Sequence, residues 1–162
     1  MEKYEELLVS LRKIIRSIDL HSKKLNKESG LTGPQLLVLQ EVERTDGITA
    51  KAIADNVNLS QGTITSILDR LAVKNAINRV RSKTDRRRLS IHLTETGQKL
   101  LNASPKPLQD YFIERFQALE VWEKNQLLSS VGRIAKMMDA SELDAAPLLE
   151  IGAIIDSDKE DK

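Results

Sequence analysis

The stretch Arg79-Val-Arg-Ser-Lys-Thr-Asp-Arg-Arg-Arg-Leu-Ser-Ile-His-Leu-Thr94 constrains the fold more than any other part of the chain. Between Arg79 and Arg88 it places six basic residues and one acid, a local charge of +5 in a chain of net charge +1, so the remainder carries −4. Cations this close repel one another, a cost that a polyanionic partner would relieve. Beyond the arginines, Leu89, Ile91 and Leu93 alternate with polar residues, the spacing of a strand with one buried face. A short strand, a charged tip and a returning strand make a β-hairpin that projects from the body. The alternative reading is a solvated hairpin whose arginines serve solubility.

The segment upstream, roughly Thr49 to Asn75, reads as two helices joined by a tight turn. Thr49 can cap the first, which carries Ile53, Ala54 and Val57 inward. Asn58-Leu59-Ser60 breaks the pattern, and Ser60 can cap the second helix by accepting a bond from an otherwise unpaired amide. Ile64, Ile67, Leu68 and Leu71 then form one apolar stripe. The opposite side presents Gly62, Thr65, Ser66 and Asp69, with Thr63 and Arg70 at its margin. Asn75 follows the helix end, where a left-handed backbone is often needed. A small, polar outer face on the second helix of such a pair suits a major groove, because nothing bulky prevents close approach. Ser and Thr hydroxyls can bond to phosphates or base edges, and Thr methyls can touch thymine methyls. Taken in order, helix, turn, helix, strand, basic tip and strand predict a winged helix-turn-helix in a mainly α chain.

At this point the chain resembles the MarR family of transcriptional regulators, over about residues 4 to 140. The matching residues are Gly30-Leu-Thr-Gly-Pro-Gln35, Ile53-Ala54, Leu59-Ser-Gln-Gly-Thr-Ile-Thr65, Leu68-Asp-Arg-Leu71 and, above all, Asp85-Arg-Arg-Arg-Leu-Ser-Ile-His-Leu-Thr94 followed by Gly97. The resemblance implies that an arginine at the wing tip enters the minor groove. Arg87 is the candidate, with Arg86 and Arg88 on phosphates. It implies that Asp85 orients a neighbouring arginine, with Arg70 as a further partner. Ser60 and Arg70 would hold phosphates too, while Gln61, Thr63, Thr65 and Ser66 would touch bases beside the small Gly62. The chain departs from the family at Ser66, where members often carry a basic residue.

Composition excludes several other classes. Hydrophobic residues make up 40% of the 162-residue chain and charged residues 30%, ordinary for a globular domain with one sizeable core. No apolar run approaches the ~20 residues that cross a bilayer. No signal-peptide pattern opens the sequence, so a cytoplasmic location is expected. Cysteine is absent, which removes disulfides and any thiol switch. His21 and His92 are the only histidines, metal-ligand spacing is missing, and neither common phosphate-binding glycine motif is present. The expectation is a protein that is not an enzyme and uses no cofactor.

The flanks are long and helical. Tyr4, Leu7, Leu8, Leu11, Ile14, Ile15 and Ile18 form a 3-4 stripe in the first helix. Thr32-x-x-Gln35 is a capping box that opens the next, with Pro34 in its first turn and Leu36, Leu39 and Val42 turned inward. Thr94 can cap a helix carrying Leu100, Leu101, Leu108, Phe112 and Phe116, in which Pro105 and Pro107 predict a break. Val121 to Met138 gives a last strong helix. These terminal helices carry more apolar surface than a small module can cover, and a stripe without a partner in its own chain must find one in another. The resemblance agrees, since the family pairs its first and last helices across a two-fold axis. The expected division is a dimerisation helix at 1–30, a winged helix-turn-helix domain at 31–97, dimerisation helices with an apolar tail at 98–155, and a charged, disordered tail at 156–162. The apolar tail is expected to pack along the dimer.

The resemblance also implies a small-molecule effector site, its wall drawn from His21, Leu25, Leu36, Gln40 and Tyr111. His21 reads equally as a pocket residue or an ordinary exposed helix residue. The functional expectation is therefore a homodimer that binds pseudo-palindromic double-stranded DNA and regulates transcription as a repressor, with release by an effector. The alternative is a winged-helix protein-interaction module without sequence-specific DNA binding. Such a module would have no need of Arg86, Arg87 and Arg88.

Overall fold

The computed structural model describes residues 2–83, 85, 88–143, 145 and 147–150. Arg86 and Arg87 of the expected wing tip, residues 151–155 of the apolar tail and residues 156–162 lie outside the described residues. Seven helices and one hairpin follow in the order α1 (Lys3–Ser29), α2 (Gly33–Arg44), α3 (Ala50–Val57), α4 (Gln61–Val73), β1 (Ile77–Arg81), β2 (Leu89–Leu93), α5 (Glu95–Ala103), α6 (Leu108–Gln117) and α7 (Val121–Met137). They fall into two compact units. One runs to Pro105 and takes in Pro147–Glu150; the other begins at Lys106 and holds α6 and α7.

Local chemistry sets the helix boundaries. α1 stops at Gly30, whose φ of 70° is left-handed. Thr32 and Gln35 form the expected capping box at the start of α2, each side chain accepting from the other's backbone amide. Thr49, Ser60 and Thr94 cap α3, α4 and α5 by accepting from Ala52, Thr63 and Gly97 amides respectively. Asn58 and Asn75, both at φ 55°, make the two left-handed steps that turn the chain after α3 and α4. The proline-containing stretch between Ala103 and Leu108 separates α5 from α6, as Pro105 and Pro107 require.

The core of the first unit is drawn from α2, α3, α4, both strands and the connecting residues Leu31, Ile48 and Ala76, with Leu25 of α1 added. The stripe Ile64, Ile67, Leu68 and Leu71 is buried as the spacing predicts. Gly97, at the start of α5, lies against the backbone of Ala76, and a Cβ there would run into the Ala76 carbonyl oxygen. Polar ties fix the helices further. Glu41 is buried on α2 and accepts from Asn56 Nδ2 of α3 at 3.0 Å, while Arg44 donates to its other oxygen at 2.6 Å. Lys74 Nζ, just past α4, donates to the Gly30 carbonyl and to Gln35 Oε1, so the end of α4 is fastened to the α1–α2 corner.

β1 and β2 pair antiparallel, from Ile77 opposite Leu93 to Arg81 opposite Leu89. The loop residue Ile48 bridges to Ile91 on the other edge of β2. The burial expected of Leu89, Ile91 and Leu93 is complete only at Ile91, and Leu93 is half-buried. Ile91 is 1% exposed but Leu89 is 40% exposed, because the outer end of the strand has run past the body that would cover it.

The described part of the tail meets its own chain. Glu150 Oε1 accepts from the Gly33 amide at 3.3 Å, at the start of α2. Burial raises the Glu150 pKa above the ordinary carboxylate value, against the lowering effect of that amide. Among the described residues no helix is long and apolar enough to cross a membrane.

Candidate nucleic-acid interface

The outer face of α4 and the wing come from one continuous segment, and their geometry follows from how that segment is capped and tied. Ser60 Oγ accepts from the Thr63 amide at 3.1 Å and shares a 2.8 Å bond with Thr63 Oγ1. Thr65 Oγ1 donates to the Gln61 carbonyl at 2.9 Å. With that proton held internally, the exposed Thr65 is left with its methyl group and the hydroxyl's lone pairs for other contacts. Gln61 and Gly62 open the helix, where backbone amides have no intrahelical acceptor and the helix dipole favours negative charge. A Cβ on Gly62 would approach only Ser60 Oγ, at 3.9 Å. The fold therefore does not require glycine there.

Gln61, Gly62 and Thr65 are exposed and Thr63, Ser66 and Arg70 are half-buried, so the site residues expected on α4 share its solvent side and rim. On the wing, Arg81, Lys83, Asp85 and Arg88 are exposed. Asp85 Oδ2 lies 3.9 Å from Arg88 Nε, and the Arg88 amide donates to the Asp85 carbonyl at 2.9 Å. Asp85 thus faces a neighbouring arginine. Arg86 and Arg87 lie outside the described residues.

One tie was not legible in the sequence. Asp69 on α4 and Arg79 on β1 form an ion pair at 2.7 Å, with the Arg79 side chain 32% exposed. It joins α4 directly to the wing. Arg79, one of the six cations of the hairpin segment, is exposed on β1 and pairs its charge with Asp69.

The residues expected to line an effector site are dispersed by environment. Leu25 and Leu36 belong to the core, each 4% exposed. Gln40 is half-buried on α2, and Tyr111 is an exposed residue of α6 in the second unit. His21 is half-buried on α1, and its Nε2 is buried without a hydrogen-bond partner among the described residues. That environment departs from an ordinary exposed helix residue. Among the described residues no group of three or more acids and histidines is placed to hold a metal ion.

Comparison with known proteins decides the family. The MarR family model matches residues 31–89, from just before α2 to the first residue of β2. The transcriptional regulator MgrA of Staphylococcus aureus is 33% identical over 132 residues, which cover 78% of this chain and 88% of MgrA. The chain belongs to the MarR family. Its winged helix-turn-helix is the fold of solved MarR-type regulators. The S. aureus MepR–DNA complex superposes with a TM-score of 0.55 at 24% identity, over 85% of this chain and 99% of MepR. PcaV of Streptomyces coelicolor, solved with its natural ligand, superposes with a TM-score of 0.56 at 21% identity, over 79% of this chain and 90% of PcaV.

Proposed function

We propose that this MarR-family protein is a regulator rather than an enzyme, binding pseudo-palindromic double-stranded DNA as a homodimer in the cytoplasm and repressing transcription by blocking polymerase. The observation that carries this reading is the small outer face of α4 held beside a basic hairpin by the Asp69–Arg79 pair. One element fits a major groove, and the other reaches the flanking backbone or minor groove. The MepR–DNA complex supports the same use of the shared fold.

Gln61, Thr63, Thr65 and Ser66 are assigned to bases, Ser60, Arg70, Arg86 and Arg88 to phosphates, and Arg87 to the minor groove, with Asp85 orienting the tip. Residues 1–30 and 98–155 are assigned to dimerisation around the winged domain at 31–97. The exposed apolar residues of α1, among them Tyr4, Leu7, Leu8, Ile14 and Ile15, support that assignment, as do Leu127, Leu128 and Val131 of α7. Release by a small-molecule effector is part of the proposal. The ligand complex of PcaV supports it, and the unpaired ring nitrogen of His21 makes that residue the one to substitute first.

The test is a titration of duplex DNA across salt concentration. Each phosphate contact contributes about −0.9 to the log-log slope, so a wing and helix used together give a steep fall in affinity. Arg87→Ala should weaken binding while leaving the dimer folded. Affinity indifferent to salt would instead favour a protein-interaction module.

A further inference from the structure

The loop between α2 and α3 meets the wing through a polar cluster that the proposed DNA contacts leave unused. Asp46 Oδ1 lies 2.8 Å from His92 Nδ1, and His92 Nε2 lies 3.0 Å from Ser90 Oγ. Ser90 Oγ in turn donates to the Val80 carbonyl at 3.1 Å. One side-chain path thus runs from the loop, through β2, to β1. Backbone bonds flank it: Gly47 donates to the Ile91 carbonyl at 3.1 Å, and the Ile91 amide donates to Ile48 at 2.9 Å. The ring is packed against Gly47, where a Cβ would come 3.4 Å from its Cε1.

Proton counting shows what this cluster requires. A carbonyl oxygen only accepts, so the proton of the Ser90–Val80 bond is the serine's own. Ser90 Oγ is left with lone pairs for His92, and Nε2 must therefore donate. The Asp46 carboxylate also only accepts, so Nδ1 must donate as well. All three bonds coexist only when the ring is an imidazolium. A neutral ring has one N–H. With that hydrogen on Nδ1, the Asp46 bond survives, but Ser90 must leave Val80 to serve Nε2. With it on Nε2, Ser90 keeps Val80, but a ring lone pair faces the carboxylate.

Asp46, His92 and Ser90 stand in the order of a hydrolytic triad. The serine proton is already given to Val80, however, so the cluster works as a fastener and not as a nucleophile. Asp46 is the charged group paired with the ring from the α2–α3 loop, β1 sets the uncharged Asn78 opposite it in register, and β2 supplies Ser90.

We infer that His92 is a positioning residue for the wing. It links the α2–α3 loop to both hairpin strands by three bonds when protonated and by two when neutral, so duplex binding weakens when the ring loses its proton. The inference rests on the wing contacting DNA, so the test separates the hairpin from the duplex.

The first arm follows the full-length protein without DNA by NMR across pH. The amides of Val80, Arg81 and Ser90 should shift with the same midpoint as the His92 ring, and His92→Gln should abolish that response. The second arm measures duplex affinity over the same range. The dissociation constant should rise roughly three- to tenfold, the worth of about one hydrogen bond. Ser90→Ala keeps the titrating ring and removes the path to Val80, so it should flatten that rise. Wing amides indifferent to the ring overturn the inference. So does a Ser90→Ala protein that keeps the full pH dependence, because charge alone would then account for it. Wing amides that follow the ring in a protein that binds no duplex at any pH would overturn the DNA reading and leave the fastener standing.

Discussion

The stretch from α2 to β2 and the helices α1, α6 and α7 bury their apolar residues in opposite ways. All nine of the largest fully buried side chains fall between Leu31 and Ile91. By contrast α6 and α7 contain no buried residue, and α1 buries only Leu25 and Ser29 near its end. Yet α1 carries Tyr4 at 62% and Ile14 at 57% exposure, and α7 carries Trp122 at 66% and Val131 at 61%. Exposed apolar surface arranged along a helix face marks an interaction surface. The first region completes its core within one chain, so damage to it should register as lost stability. The second holds its apolar face in reserve, so damage to it should register as lost association.

Substitutions can break that contrast, beginning with the largest expected effect. Leu71→Ala opens a cavity in the sealed part of the core and should lower unfolding free energy by about 2–5 kcal/mol in denaturant titration. A loss no larger than that of a surface change would show that this core is not closed. Gly97→Ala comes next, at roughly 1–3 kcal/mol, since its Cβ meets the Ala76 backbone and not a yielding side chain. Gly62→Ala is its counterpart. That Cβ meets only Ser60 Oγ, in ordinary contact, so stability should hold or rise by up to about 1 kcal/mol while duplex affinity falls. Equal losses of stability at both glycines would erase the distinction between a glycine the fold needs and one the ligand needs.

Ile14→Glu sharpens the comparison from the other side. At an exposed position it should change the chain's own packing by no more than about 0.5 kcal/mol. Sedimentation should nevertheless shift from two chains toward one. Unaltered sedimentation of a dimer would remove this face of α1 from the interface.

The smallest effect concerns Glu150. Its pKa is raised in the folded chain by burial, so docking of the tail on Gly33 favours the protonated form. A folded-state pKa above the unfolded one gives a contribution that is full below the unfolded value and lost as pH rises through the folded one. Hydrogen exchange at the Gly33 amide should therefore be better protected in acid than at neutral pH, once corrected for intrinsic rates. Glu150→Gln, which does not titrate, should keep that protection at both. Loss of the acid-specific protection in the natural chain would contradict the docking.

What the sequence disclosed and what it withheld divide by distance along the chain. Thr32, Thr49, Ser60 and Thr94 announced their helices because a cap acts within three residues. The stripe from Ile64 to Leu71 announced its buried side through periodicity alone. Asp69–Arg79, Glu41–Asn56 and Asp46–His92 join residues that only the folded chain brings together, and no local pattern marks them. Alternation identified the inner face of β2 but not where the body beneath it ends, which is why Leu89 was expected to be buried. The outer face of α4 was legible because capping and periodicity together fix a helix face. The tail was not, because Pro147–Glu150 follows no period and meets α2 across most of the chain.

Selection of bound fragments from random duplex DNA tests the central claim most directly. Two copies of α4 and the wing, related by a two-fold axis, should enrich an inverted repeat whose half-sites are centred about one turn apart, roughly 34 Å. Recovery of fragments with no shared motif, or with a single unrepeated one, would contradict it.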